Sequence, residues 1–281
     1  MKKLEKLLTQ QVYSKVLEKA EFERITQIRL RVNMPLIINL FEKEIVCHEL
    51  IVSEEMIRDT FNKITGYSAY AFEQNIKCGY ITVAGGHRIG FGGETISENG
   101  QIVTIKNIKF LNIRISHPVA GCGMGVAEKL MEEGELLNTL IISPPGMGKT
   151  TLLRDLITIF STKISGTSIC VIDERNEISG SYLGTPTIDL GLRTDVISNC
   201  PKTCGIKMAI RSMAPQIIAV DEIGGREDME ALIFASQSGV KIIATIHGDS
   251  LKNAEEKLGH AYNEIFRKRV LIKSKGEYIC Y

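Results

Sequence analysis

The stretch "IISPPGMGKTTLLRDLI", Ile141 to Ile157, decides the fold of the second half of the chain. An apolar strand pattern precedes a turn rich in proline and glycine, and a helical pattern follows the turn. In a phosphate-binding loop, backbone N–H groups at a helix N-terminus point at the phosphates, a lysine reaches the β and γ oxygens, and a hydroxyl ligates Mg²⁺. Gly148, Lys149 and Thr150 supply those groups. The stretch therefore predicts a nucleotide site with ATP and Mg²⁺ as cofactors.

The loop departs from the pattern G-x-x-x-x-G-K-[ST] at one position, where Ser143 replaces the first glycine. That glycine mainly serves turn geometry, whereas the atoms that face the phosphates belong to later positions, so the departure is mild. A chance turn that ends in Lys-Thr is the weaker interpretation. The residues that we expect to contact the nucleotide are Ser143, Pro144, Pro145, Gly146, Met147, Gly148, Lys149, Thr150 and Thr151.

A second apolar strand, "QIIAVDE" from Gln216 to Glu222, ends in two carboxylates. Such a strand end behind a phosphate loop is typical of a Walker B element. Asp221 is the predicted Mg²⁺ ligand together with Thr150, and Glu222 would orient or deprotonate the attacking water.

Two more strand ends carry polar groups to the edge of the sheet where ligands of open α/β sheets bind. "SICVIDERNEI" ends its strand with Asp173, Glu174 and Arg175, and "VKIIATIHGD" places Thr245 and His247 after another. Considered without its neighbours, His247 is better interpreted as a loop histidine whose hydrogen bonds are satisfied within the protein. Its position beside the γ-phosphate edge favours a sensing role.

Arginines matter here because guanidinium groups, often from a neighbouring subunit, stabilise the charge on a transferred phosphoryl group. The candidates are Arg193 and Arg211, with Arg226 further out. For each of them a solvated surface position is an equally good interpretation. An inter-domain role is a weaker prediction for Arg29, Arg31, Arg88 and Arg114.

The 281 residues allow two domains. The first half carries helical patterns at Leu4 to Leu17 and Ser53 to Ile64 and short strands punctuated by glycines, which predicts a small α+β domain. Near "SHPVAGCGMG" the pattern changes to apolar strands alternating with helices, which predicts a parallel sheet covered on both faces. We predict domains at residues 1–118 and 119–281.

Composition narrows the class of protein. The seven cysteines and the start "MKKLEKLLTQ", which does not resemble a secretory leader, favour reduced thiols and a cytoplasmic protein. No run approaches the roughly 18 apolar residues of a membrane span. A net charge of +1 and 6% aromatic residues do not indicate a nucleic-acid partner, although a local basic patch would escape that count.

The order phosphate loop, "DERNEI", "RSMAPQIIAVDEIG" and "TIHG" resembles the ATPases of type II and type IV secretion and pilus machines. Together with "IRLRVNMPLII", "GYITVAGGHRIGFGGE" and "DLGLRTDV", these motifs are similar to the stage III sporulation protein AA family of endospore-forming bacteria. The resemblance runs from Ile28 to Gly248. This sequence has Asp221 where many secretion motors have Gly, and it has Gly224 and Gly225 where they have an Arg-Asp pair. The resemblance therefore assigns no residue of this chain to the arginine of those motors.

The resemblance implies an α/β protein with a RecA-like P-loop NTPase core behind a smaller N-terminal α+β domain. It also implies a cytoplasmic ATPase, a homo-oligomer that is a hexameric ring, and an integral membrane partner in the channel between mother cell and forespore, on the mother cell side. By the same resemblance Glu174 would act beside Glu222, and His247 would take the His-box position. The alternative is a nucleic-acid-binding RecA-like ATPase. A small-molecule kinase and a scaffold that binds ATP without turnover are weaker alternatives.

Overall fold

The structure is a computed structural model that describes residues 2–68, 72–117, 121–164, 166–182 and 184–281. The chain divides into two compact units, Met1–His117 and Pro118–Tyr281. The predicted boundary between residues 118 and 119 lies outside the described residues.

The N-terminal unit is a six-stranded antiparallel sheet with helices. Its helices are α1 (Lys2–Glu5), α2 (Gln10–Lys19), α3 (Glu54–Ile64) and α4 (Glu73–Cys78). Its strands are β1 (Ile25–Arg31), β2 (Pro35–Leu40), β3 (Glu44–Ile51), β4 (Tyr80–Val83), β5 (His87–Glu98) and β6 (Gln101–Arg114). Their order in the sheet is β3-β2-β1-β6-β5-β4.

The first helical pattern is broken in the structure. The single helix expected from Leu4 to Leu17 is two helices, because the backbone of Thr9 is extended and α2 starts anew after it. Four apolar residues of the predicted helix are nevertheless buried: Leu4, Leu8, Val12 and Val16. The helix expected from Ser53 to Ile64 is α3, whose N-cap Ser53 accepts a hydrogen bond from the Met56 N–H at 3.1 Å.

The two faces of the N-terminal sheet differ in chemistry. On β1, Ile28 and Leu30 are buried, so the alternation of a strand turns Arg29 and Arg31 to the other face. Gln27 of the same face pairs with Arg114 on β6, and Arg114 pairs with Arg88 on β5. We call the four residues Arg29, Arg31, Arg88 and Arg114 the arginine face.

The C-terminal unit is built on a seven-stranded sheet of order β11-β10-β12-β13-β9-β14-β15. Its strands are β7 (Met131–Glu132), β8 (Glu135–Leu136), β9 (Thr139–Ser143), β10 (Ile169–Asp173), β11 (Thr194–Ser198), β12 (Ile217–Val220), β13 (Lys241–His247), β14 (Lys268–Ser274) and β15 (Glu277–Cys280). Its helices are α5 (Met124–Ala127), α6 (Lys149–Ile159), α7 (Lys202–Ser212), α8 (Arg226–Gln237), α9 (Leu251–Leu258) and α10 (Ala261–Ile265). The small strands β7 and β8 form a separate pair.

The large sheet is parallel from β11 to β14, and only β15 joins it antiparallel. Helices cover both of its faces. In β9, Leu140 and Ile142 pack into the core beneath α8, whereas Ile141 packs into the core beneath α6. The parallel sheet with apolar residues on both faces that the sequence predicts is therefore confirmed. Within the described residues, no helix is long and apolar enough to span a bilayer.

Candidate nucleotide-binding site

The predicted site residues converge because four parallel strands end at one edge of the C-terminal sheet. β9 lies beside β13, β13 beside β12, and β12 beside β10. Ser143 at the end of β9 pairs in register with His247 at the end of β13. Asp221 follows β12 directly, and Asp173 ends β10. The carboxyl ends of these strands thus bring together the predicted phosphate loop, the predicted Walker B carboxylates and the histidine.

The phosphate loop accommodates serine at its first position because that residue is part of a strand. Ser143 is the last residue of β9, it is buried, and its carbonyl accepts the Gly248 N–H at 3.1 Å. The left-handed backbone that favours glycine falls later, at Gly146 with φ 77° and Gly148 with φ 96°. Gly148 is the N-cap of α6, so the orphan N–H groups of that helix begin at Lys149.

The hydroxyl and the carboxylate predicted to hold Mg²⁺ are in contact. Thr150 Oγ1 donates to Asp221 Oδ2 at 2.7 Å. The other carboxylate oxygen, Oδ1, accepts from the Thr245 hydroxyl and from the Glu222 N–H, the latter at 3.0 Å. Mg²⁺ prefers hard oxygen ligands and usually takes only one or two from the protein in phosphate sites. Thr150 and Asp221 therefore fit the ion, with Thr245 as the residue that orients the carboxylate.

A chain of hydrogen bonds connects the loop lysine to the predicted base. Lys149 Nζ lies 2.9 Å from His247 Nδ1, and His247 Nε2 lies 2.8 Å from Glu222 Oε1. An ammonium group can only donate, so Nδ1 accepts and the Nε2–H donates to Glu222. The second carboxylate oxygen, Oε2, accepts from Arg175 at 2.7 Å. His247 and Arg175 thus bind opposite oxygens of the same carboxylate.

Burial and charge shift the pKa values within this chain. Burial lowers the pKa of Lys149, whose residue is 6% exposed, against the opposing effect of Asp221 and Glu222. Burial raises the pKa of Glu222, but the hydrogen bond from His247 and the charges of Arg175 and Lys149 outweigh it and lower the pKa below 4.5. A buried cation beside a helix N-terminus fits the phosphates of ATP, and an ionised Glu222 fits the role of a base.

The backbone of Glu222 lies in the left-handed region, with φ 52°. Such a conformation costs a non-glycine residue of order 1–3 kcal/mol and persists only where its surroundings hold it. Here the Glu222 N–H is held by Asp221 Oδ1 and by Thr245 Oγ1, each at 3.0 Å. The strained turn places Asp221 and Glu222, adjacent in sequence, in contact with different partners.

The acidic segment after β10 is organised by two buried charges. The Asp173 carboxylate accepts the N–H groups of Glu177, Ile178 and Ser179 and the Ser179 hydroxyl, at 2.6 to 3.2 Å. Burial raises the pKa of Asp173, and the hydrogen bonds from Ser179 and Ile178 oppose that rise. From α6, the Arg154 guanidinium donates to the carbonyls of Ile178 and Glu177. Asp173 therefore shapes the segment from inside the protein.

Glu174 is bound by a lysine that the sequence analysis did not single out. Lys202 at the start of α7 donates to Glu174 Oε2 at 2.5 Å and lies 4.0 Å from Asp228. A pocket of about 20 Å³ opens beside this pair, bounded also by Arg175, Asp221 and Glu222. That volume holds about one water molecule. No sequence signal identified Lys202 or Arg154, because their partners are set by the fold.

The two arginines chosen from the sequence lie at the opposite edge of the sheet. Arg193 precedes β11, and its guanidinium donates to the Ser161 carbonyl at 3.1 Å. Arg211 lies in the last turn of α7, a full helix away from the site edge. Neither is brought to the phosphate loop of its own chain. A role for either at a nucleotide stays a prediction, and it would require a neighbouring subunit.

Sequence comparison decides the family. The profile of the family described as "Sporulation stage III, protein AA" matches residues 1–278. The chain belongs to this family. A relative of that name from Bacillus subtilis (strain 168), "Stage III sporulation protein AA", is 39% identical over 236 residues, which are 82% of this chain and 75% of the relative.

Solved structures of ATPases share the fold of this family member. The ATPase DotB of Legionella pneumophila matches with a TM-score of 0.63 and 18% identity, over 94% of this chain and 76% of DotB. The pilus retraction motor PilT, solved with bound ADP, matches with a TM-score of 0.63 and 13% identity, over 93% of this chain and 76% of PilT. The predicted fold, a RecA-like core preceded by an α+β domain, is confirmed.

Proposed function

We propose that the protein is a Mg²⁺-dependent ATPase, the ATP-hydrolysing motor of a secretion-type complex that crosses the cell envelope. The observation that carries the proposal is the cluster in which Thr150 contacts Asp221 while Lys149, His247 and Glu222 form one hydrogen-bonded chain. That cluster brings together the lysine, the metal-binding pair and the carboxylate base that phosphoryl transfer to water uses. Membership of a sporulation family supports the setting that we propose for this motor, the channel between mother cell and forespore.

Each residue of the cluster has a task that follows from its contacts. Mg²⁺–ATP would supply the reactive phosphoryl group and neutralise charge on its oxygens. Lys149 would bind the β and γ oxygens, and Thr150 and Asp221 would hold the metal. Glu222 orients the attacking water and takes its proton, because its carboxylate is ionised. His247 fixes the position of Glu222 through its Nε2–H and contacts Lys149 through Nδ1.

We further propose that the working form is a homo-oligomer, most simply a hexamer, that meets an integral membrane partner from the cytoplasmic, mother cell side. Arg193 and Arg211 lie away from the phosphate loop of their own chain, whereas phosphoryl transfer commonly uses an arginine from a second subunit. The arginine face offers another source, since Arg29, Arg31 and Arg114 are exposed. A second copy would bring such guanidinium groups to the phosphates.

Steady-state ATP turnover over a range of protein concentrations tests the proposal. Wild type should hydrolyse ATP with a specific activity that rises with concentration, and Glu222→Gln should bind ATP but not turn it over. Lys149→Ala should lose ATP binding, because the buried ammonium is removed from the loop. Tight ATP binding by Lys149→Ala would refute the assignment of the site.

The arginine face also favours a second candidate function, an ATPase that binds nucleic acid. Arg88 stacks over the Tyr80 ring at 4.6 Å, and Phe110 is exposed beside Arg31, its partner in register. Guanidinium and aromatic groups together are typical of surfaces that bind single strands. The turnover assay distinguishes the two functions when it is repeated with single-stranded DNA. Strong stimulation would favour this candidate, and indifference would favour the secretion motor.

A further inference from the structure

Both oxygens of the predicted base are occupied in the structure. His247 donates to Glu222 Oε1, and Arg175 donates to Oε2 at 2.7 Å. A carboxylate that accepts a proton from water must present a lone pair to that water. Each oxygen keeps a second lone pair, but a donor on each one draws charge from the carboxylate, so loss of either donor would leave an oxygen that is more open to the water and more basic.

Arg175 is the donor with freedom to move. Its side chain is 59% exposed, and the ion pair with Glu222 is the contact that fixes its head group. His247, by contrast, ends a central strand and is held on its other nitrogen by Lys149. An exposed arginine on a flexible stem exchanges between anions at little cost, and a phosphate offers the same bidentate geometry as a carboxylate.

The other arginines near this part of the fold have different partners. Arg154 is committed to backbone carbonyls inside the acidic segment. Arg226 begins α8 at the same edge, but its side chain is 91% exposed and pairs with Glu230 one turn later. Arg175 lies directly beside the carboxylate that faces the reaction.

We propose that Arg175 is a phosphate-binding residue of its own chain, whose guanidinium exchanges between Glu222 and the terminal phosphate of ATP. When Arg175 leaves Glu222 for the phosphate, one oxygen of the base becomes free to accept from water. The inference rests on the proposed ATP site and adds to it a residue that distinguishes ATP from ADP. It requires no second subunit, unlike the roles considered for Arg193 and Arg211.

Nucleotide affinity tests the exchange without measuring turnover. The dissociation constants of ADP and of a non-hydrolysable ATP analogue are measured by calorimetry for wild type and Arg175→Ala. The variant should bind the ATP analogue roughly tenfold more weakly, since one charge-assisted contact is lost, and should bind ADP as wild type does. For Arg175→Lys, the dissociation constant of the ATP analogue should lie between those of wild type and Arg175→Ala. Arg226→Ala, an equal loss of charge at the same edge, is the matched control and should match wild type for both nucleotides.

A double-mutant cycle with Glu222→Gln tests the exchange itself. Removing the carboxylate charge should tighten binding of the ATP analogue more in the wild-type background than in Arg175→Ala, because only there does Glu222 compete for the guanidinium. An unchanged ratio of ADP to ATP-analogue affinity in Arg175→Ala would overturn this inference alone. Failure of the wild type to bind either nucleotide would overturn the ATP site and this inference with it.

Discussion

Substitution of Asp173 by asparagine should destabilise the C-terminal unit, although the two side chains have the same shape. Asp173 is 2% exposed, and its two oxygens accept from three consecutive residues of the acidic segment. Oδ1 accepts the N–H groups of Glu177 and Ile178, and Oδ2 accepts the N–H and hydroxyl of Ser179. An asparagine has one acceptor oxygen, so its NH₂ group faces either the two N–H groups of Glu177 and Ile178 or the N–H of Ser179, where only the Ser179 hydroxyl can turn to accept.

The magnitude follows from those contacts. One or two hydrogen bonds to a charged group are lost, depending on the orientation of the amide, each contributing about 1.5–3 kcal/mol, and at least one N–H donor remains buried without an acceptor. Part of this loss is offset, because burial raises the pKa of Asp173 and a neutral amide avoids the penalty of burying a charge. We therefore expect the free energy of unfolding to fall by about 2–4 kcal/mol.

Urea unfolding followed by far-UV circular dichroism measures the change. Asp189→Asn is the matched control, since Asp189 is exposed and accepts one N–H, that of Gly191 at 2.9 Å, which an asparagine oxygen can also accept. The control should stay within about 0.5 kcal/mol of wild type. If Asp173→Asn were equally close to wild type, the reasoning that Asp173 organises the segment would be refuted.

Three further predictions follow from the site. Gly148→Ala should destabilise the protein by about 1 kcal/mol and weaken nucleotide binding, because an alanine strains the backbone at φ 96°. Gly125→Ala is the control, since φ is not positive at Gly125, and it should have the smaller effect in the same unfolding and binding assays. Thr150→Ala should raise the Mg²⁺ concentration needed for half-maximal turnover, and an unchanged Mg²⁺ titration would argue against Thr150 as a ligand. Burial raises the pKa of Glu222, but His247 and Arg175 lower it below 4.5. The stability that the ionised carboxylate contributes is therefore present above pH 4.5 and is lost as the pH falls through the lowered pKa. The difference in free energy of unfolding between wild type and Glu222→Gln should shrink on acidification, and a constant difference would contradict this.

The sequence predicted the elements whose signal is local. The strands ending at Ser143, Asp173 and Asp221 are continuous apolar runs, and they are the central strands of the sheet. The sequence pattern does not predict some of the other strands, for physical reasons. β11, "TDVIS", is an edge strand with little apolar content, and β3 alternates too weakly to stand out. The pairing of β11 and β3 depends on contacts with neighbouring strands, which are not visible in the local sequence pattern.

Chain order also could not predict which edge of the sheet an arginine reaches. Arg193 and Arg211 lie in motifs between the phosphate loop and Walker B, so the sequence made them candidates for the site. A parallel sheet sends every strand in one direction, and residues that precede a strand lie at the edge opposite to those that follow one. Arg193 precedes β11 and Arg211 ends the helix that leads back to β12, so both lie at the far edge.

The acidic residues at the site edge look alike in sequence, but their partners give each a different capacity. Asp173 accepts four hydrogen bonds from its own segment and has no oxygen to spare for a ligand. Glu174 is paired with Lys202, so one of its oxygens is already bound within its own chain. Asp221 meets a hydroxyl on each oxygen, which suits a metal ligand. Glu222 is held by His247 and by Arg175, and in our proposal nucleotide binding draws Arg175 away while His247 stays in place. In the ATPase that we propose, control of hydrolysis would therefore depend on the partners of Glu222 rather than on the number of carboxylates around it.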